Sequence, residues 1–263
     1  MNIVLANSNS HNVSNRVTTR FKAATIHLLI SAIVASIVLL LMIVLWYPAP
    51  YFSAAGAGHL LFLLFAVDLI IGPLITLIIF DTKKKSLKFD LATVAALQLA
   101  AFLYGMNIVF EARPAYVVFV EDHFEVVSAN EIHPTNLAKV SNPEFKSMPL
   151  TGPRIVAAVP PTNADEAMSV VTAKELGLGL QIFPQHYVTY ASQAEAIVKH
   201  GKPISVLLED YPYVKDKVAQ VLKKTGKSEV DLRFLPLRSR TAEMATLIAA
   251  KSGEIVDLVS LSE

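Results

Sequence analysis

The sequence predicts a membrane protein with three N-terminal transmembrane α-helices followed by one α+β soluble domain. Three observations lead there. Of 263 residues, 53% are hydrophobic and 17% charged, whereas an ordinary soluble domain is about one quarter charged. The apolar excess sits in three blocks without Lys, Arg or Glu, residues 26–46, 59–80 and 91–110, which are 21, 22 and 20 residues long. From residue 114 onward the chain changes to short apolar runs separated by polar and glycine-containing turns.

At about 1.5 Å per residue each block spans roughly 30 Å as a helix, the thickness of a hydrocarbon core. Backbone amides in lipid have no water to bond, and the blocks lack the alternation of a barrel strand, so a helix is the structure that suits them. A cleaved signal peptide ending near Ala55-Gly56-Ala57 is disfavoured, because the first apolar core is too long and too far from that point. The aromatics Trp46, Tyr47, Tyr51 and Phe52 are expected to form an interfacial belt. Residues 1–19 lack periodicity and apolar mass and read as a disordered tail, or as a start placed too early.

Charge sets the expected direction. Arg16, Arg20 and Lys22 precede the first block, and Lys83, Lys84, Lys85 and Lys88 lie between the second and third, while the loop 47–58 carries no charge. Basic residues are retained on the cytoplasmic side. The N-terminus and the lysine loop are therefore expected in the cytoplasm, and three crossings deliver the C-terminal domain to the opposite face, the periplasm in a bacterium. The lysines are explained by topology and by attraction to anionic lipid. The domain boundaries that follow are a tail at 1–19, a three-helix region at 20–113 and a periplasmic α+β domain at 114–263.

The C-terminal part begins after Arg113-Pro114, because proline disfavours helical geometry in its predecessor. Residues 116–120 and 124–128 read as a hairpin around Glu121-Asp122-His123, and 155–159 and 204–208 as buried strands. Helices are expected at 165–176, capped by Asn163, at 192–200 and at 214–224. Strands return at 232–237, 245–250 and 254–261, the last two joined by Lys251-Ser252-Gly253. Strict strand–helix alternation is missing, which favours α+β.

Residues 111–263 hold sixteen basic and nineteen acidic groups, a balance that argues against a nucleic-acid partner. Cysteine is absent, so thiolate chemistry is excluded. The seven histidines include no pair at zinc spacing, and no Gly-x-Ser-x-Gly elbow occurs. Thr225-Gly226-Lys227-Ser228 resembles the end of a P-loop, but the first glycine is missing and the segment follows a helix, so Gly226 reads as a C-cap. Glu209-Asp210 reads as an ordinary helix start. No catalytic residue, cofactor or metal site is expected, and an enzyme ranks below the alternatives.

Asp68 stands apart. It lies near the centre of the second block, where an ionised carboxylate costs at least about 2.5 kcal/mol. Ser36, Gln98 and Tyr104 lie at similar depth and are candidate partners. Gly72-Pro73 should kink the same helix, since Pro73 lacks the amide that would bond the Leu69 carbonyl. Two readings remain open, an internal polar clamp and a contact with another transmembrane segment.

The strings Arg20-Phe21-Lys22-Ala23, Leu45-Trp46-Tyr47-Pro48 and Val67-Asp68-Leu69-Ile70-Ile71-Gly72-Pro73 resemble the type IV pilin accessory proteins of the TfpX/TfpZ kind. So do Lys85-Ser86-Leu87-Lys88-Phe89-Asp90, Gln98-Leu99, Tyr104-Gly105 and Ala112-Arg113-Pro114-Ala115-Tyr116. The resemblance covers residues 20 to about 125. It implies a non-enzymatic inner-membrane factor that stabilises a cognate major type IV pilin or delivers it into surface pili. The rival class is a membrane sensor or transport subunit with a periplasmic ligand-binding domain.

Overall fold

The computed structural model describes residues 2–262, with side chains from Val17 onward. The chain forms two compact units. One comprises the chain up to Met42 together with Gly58–Val109, and the other comprises Ile43–Ala57 together with Phe110 to the C-terminus.

The helical unit holds α1 (Asn2–Leu41), α3 (Ala57–Ala66), α4 (Gly72–Ile79) and α5 (Leu87–Glu111), with a π turn at Val67–Ile71 joining α3 to α4. A second π turn, Met42–Trp46, follows α1, and a single turn α2 (Tyr51–Ala54) lies in the loop that follows. Among the described residues three helices, Val17–Trp46, Ala57–Ile79 and Leu87–Glu111, are long and apolar enough to cross a membrane. The segment expected as a disordered tail is helical and continuous with α1 from Asn2. Once an apolar helix is nucleated, further turns add without a new nucleation cost, and this overrides the weak propensity of the Asn and Ser residues. Met1, and with it the question of the start, lies outside the described residues.

Helix α1 runs antiparallel to α4: the Arg20 Nε donates to Phe80 O at 2.7 Å, while His27, two turns further along α1, meets Thr76. Just before Gly72-Pro73, where a kink is expected, the chain makes the π turn. There the Gly72 amide reaches back five residues to Val67 O, and the helix is widened just before the proline that cannot donate.

In the second unit one mixed sheet has the order β4-β3-β1-β2-β6-β7-β8, with β5 on β6. The strands are β1 (Pro114–Val120), β2 (His123–Ser128), β3 (Arg154–Ala158), β4 (Tyr187–Thr189), β5 (Lys202–Pro203), β6 (Leu232–Arg238), β7 (Glu243–Ala249) and β8 (Ile255–Ser260). Pairs β1–β3 and β2–β6 are parallel and the others antiparallel. Every residue of β1 is buried, because the strand alternates between two cores. Tyr116, Val118 and Val120 enter one with Val156 and Phe145. Val117 and Phe119 enter the other with Phe124, Leu235 and Ile197.

Around the sheet lie α6 (Pro134–Ala138), α7 (Ala164–Glu175), α8 (Ala194–His200), α9 (Ile204–Asp210) and α10 (Lys215–Thr225). Asn163 caps α7 through its side chain, and α10 ends at Gly226 with φ of 67°, the left-handed cap that glycine favours. The expected strand at 204–208 is instead α9. Ile204 and Leu207, one turn apart, pack with Val218 and Phe234, and a short apolar run carries no period of its own to separate the two states. Glu209-Asp210 accordingly ends a helix rather than starting one. His123 lies in β2, paired with Val120, so the turn is the two residues Glu121 and Asp122. Strands β4 and β5, three and two residues long, were not expected from the sequence.

The loop after α1 belongs to the sheet unit. Tyr51 and Ala54 pack among Val117, Phe119, Leu235 and Met244. The Thr241 hydroxyl donates to Ser53 O and Ala54 O at 2.9 and 3.0 Å, and the Gly152 amide donates to Leu45 O at 2.6 Å. The interfacial belt is corrected here: Tyr47 is fully buried and Tyr51 nearly so, while Trp46 meets Phe110 edge to face with centroids 4.9 Å apart. Burial lifts both phenols to about 12, with Arg113 opposing the rise at Tyr47. An aromatic cluster next to an apolar helix fits a lipid surface or a protein core equally well by composition, and partners distant in sequence decide between them.

Candidate functional site

In the helical unit the polar side chains gather around the π turn. Asp68 sits on that turn, the Gln98 side chain of α5 hydrogen-bonds it, and His27 of α1 lines the cavity beside it. Gly72 lies directly against the Gln98 carboxamide, which a Cβ at this position would displace. Pro73 is buried beside it. His27 Nδ1 is 2.6 Å from Thr76 Oγ1, and Thr76 is only 3% exposed.

Of the expected partners, Gln98 joins Asp68 and two others do not. Ser36 turns back on its own helix and donates to Ala32 O at 2.8 Å, as hydroxyls in helices commonly do. Tyr104 is 71% exposed and contributes only to the rim of a cavity of about 300 Å³ beside Asp68 and Gly105. His27 and Thr76 were missed in the sequence; each is a polar residue inside an apolar block, the signal that singled out Asp68. A second cavity of about 310 Å³ flanks Asp68 between α1 and α5, lined by His27, Ser31, Ala95 and Gln98.

The basic residues divide. Arg20 is tied to Phe80 O and lies 3.7 Å from Asp81, and Lys84 pairs with Asp90. Lys22 stands at the mouth of a cavity of about 550 Å³ with largely apolar walls. Lys83, Lys85 and Lys88 are exposed.

In the sheet unit a cavity of about 370 Å³ opens between the Glu121–Asp122 turn and the segment Gly177–Gln181. His123, only 8% exposed, lies at its side. Its Nδ1 is 3.0 Å from Asp122 Oδ1, and its Nε2 is 3.0 Å from Glu125 Oε1 and 3.3 Å from Arg238 Nη1. Hydrogen bonds to Glu125, and then to Asp122, raise the His123 pKa against the opposing effects of burial and Arg238. Carboxylates at both ring nitrogens favour the imidazolium, which donates at both. At the mouth Lys174 pairs with Glu121 at 3.1 Å. His186 behaves oppositely: burial lowers its pKa, and its Nε2 stays 3.6 Å from Glu166 Oε2, without a hydrogen bond among the described residues.

These groups can bind and orient. Among the described residues no three His, Cys, Asp or Glu side chains are placed to hold a metal ion.

Residues 15–56 match the family model of the fimbrial assembly protein FimB. The chain is 32% identical over 243 residues to the fimbrial assembly protein of serogroup I from Dichelobacter nodosus, covering 91% of this chain and 94% of that protein. The serogroup E1 protein of the same organism is 31% identical with the same coverage. That of serogroups C1 and C2 is 37% identical over 113 residues, 42% of this chain and 86% of the relative. No solved structure matches. The family name found is FimB rather than TfpX/TfpZ, and the likeness extends through the sheet unit, beyond the residue near 125 at which the sequence motifs fade. The chain belongs to the FimB family of fimbrial assembly proteins.

Proposed function

We propose that the protein is a non-enzymatic accessory factor of the bacterial inner membrane that assists the stability or assembly of a cognate type IV pilin into surface pili. The observation that carries this reading is the near full-length likeness to two relatives named fimbrial assembly proteins. The motifs of residues 20 to about 125 support the narrower kinship with TfpX/TfpZ-type pilin accessory proteins. The seven basic residues that flank the first helix and fill the lysine loop support a cytoplasmic N-terminus and a periplasmic sheet unit. In this reading the second helix, through Asp68 beside Gly72-Pro73, meets the membrane-embedded helix of the pilin, and the sheet unit engages the pilin head.

The test is deletion of the gene followed by complementation with wild type and with Asp68→Asn. Deletion is expected to lower the amount of pilin or the number of surface pili, and wild type to restore both. Unchanged piliation after deletion, with altered uptake or signalling, would move the protein to the sensor or transporter class. Full complementation by Asp68→Asn would remove the carboxylate charge from the account.

A further inference from the structure

Helix α5 is set apart from α1 along most of its length, and the space between them has a regular construction. On α1 the wall is Thr19, Ala23, Ile26, Ile30 and Val34, one position for each helical turn. On α5 it is Leu91, Ala95, Gln98 and Phe102, again one per turn. The cavities of about 550 and 310 Å³ adjoin, sharing His27 and Ile30. Together they form one groove that follows α1 from Thr19 to Ala35, roughly 24 Å at 1.5 Å per residue. Thr76 and Asp68 lie on its floor.

We propose that this groove is the seat of one transmembrane helix from a different protein, which brings a hydrogen-bond donor to Asp68. Three observations select a helix over lipid. The groove is longer than the roughly 15 Å that an acyl chain spans in one half of a 30 Å hydrocarbon core. Its floor carries polar groups, the Asp68 carboxyl and the Thr76 hydroxyl; the carbonyl oxygen of a carboxyl accepts hydrogen bonds, and an acyl chain supplies no donor. Ser31, Ala35 and Ala95 keep its walls low, which permits the close backbone approach that helix pairs in membranes use. The occupant is therefore an apolar helix with a hydroxyl, amide or cationic group at the level of Asp68. Naming that helix as the pilin's rests on the proposed function, whereas the groove itself does not.

The chain contains no cysteine, so single cysteines report cleanly. Ser31→Cys and Ala95→Cys face the groove, while Ile33→Cys and Leu103→Cys stand on outward positions 61% and 59% exposed. Each is expressed in the full chain, in cells carrying a pilin with cysteines stepped along its apolar helix, and disulfides are scored after mild oxidation. Disulfides from the two groove positions with a helical period on the pilin, several-fold above the outward controls, are expected. Ala95→Trp, which fills the groove, should abolish the Ser31→Cys disulfide at an unchanged amount of protein, and Ser31→Leu serves in its place if that amount falls. A photoreactive side chain at Ser31 separates the remaining outcomes. Adducts on the apolar helix of a different single-span protein keep the groove and overturn the pilin reading. Adducts to lipid alone, adducts to a second copy of this chain, or equal yields at all four positions overturn the groove whatever the piliation result.

Discussion

Tyr51→Ala separates a loop that lies on the sheet unit from a loop that is part of its core. Tyr51 is 8% exposed and packs among Val117, Phe119, Leu235 and Met244. Truncating a buried aromatic to alanine costs about 3–5 kcal/mol, through lost transfer energy and the cavity left behind. That is a drop of roughly two to four orders of magnitude in the folding equilibrium of this unit. For a unit of this size each kcal/mol moves the midpoint by about 2–4 °C, so a fall of roughly 6–20 °C is expected. The assay is near-ultraviolet circular dichroism or protease susceptibility against temperature, on the full-length protein in detergent. Tyr51→Phe, which keeps the ring, should stay within about 1.5 kcal/mol of wild type, as volume-conserving changes do. A shift below about 2 °C for Tyr51→Ala would place the residue among ordinary surface substitutions and refute the assignment of the loop to the core.

Three further outcomes concern buried charged or titratable groups in the same unit. Arg113 donates to Pro149 O through Nε at 3.2 Å and Nη2 at 2.7 Å and to Phe110 O through Nη1 at 2.6 Å, with its guanidinium carbon 3.8 Å from the Phe110 ring centre. Arg113→Lys keeps the charge but loses the planar fork, and should cost about 1–3 kcal/mol in denaturant unfolding. At His123 the folded pKa lies above the ordinary value of 6.5. The stabilisation is thus fully present below that value and is lost as pH rises through the folded pKa. His123→Gln should therefore destabilise more at pH 5.5 than at pH 8.5. His186 has a lowered pKa, so its favourable burial as a neutral ring is present above 6.5 and is lost as pH falls, and His186→Gln should soften the acid side of the stability profile. An equal effect of each substitution at both pH values would refute both assignments.

The helices and most strands were legible because each carries its own period or length. Residues 26–46 announce a helix by apolar length alone, and 232–237 and 245–250 announce strands by β-branched and leucine runs between turns. Residues 204–208 misled because Ile-Ser-Val-Leu-Leu has the composition of a buried strand, and Leu207 faces the core as a helix residue only through packing against Val218 and Phe234. At the intramembrane site Asp68 and Gln98 were readable as costly polar groups in apolar blocks. Depth counted along helices could place Ser36 and Tyr104 at the right level but not on the right face, since the rotation of a nearly uniform apolar helix leaves little trace in sequence. The partners of Tyr51 were least legible of all, lying more than sixty positions away.

That distance has a consequence in time. The core around Tyr51 is completed only by Leu235 and Met244, near the C-terminal end, with two long apolar helices made in between. At about 5–20 residues per second the ribosome needs on the order of ten to forty seconds to supply them. Through that interval Tyr51 and Ala54 wait without the strands that cover them, while helices α3, α4 and α5 are made. Completion of this core thus requires the loop before those helices and the strands after them to meet. A chain in which they fail to meet would leave Tyr51 and the faces of β1 and β6 that pack around it uncovered, within reach of quality-control proteases.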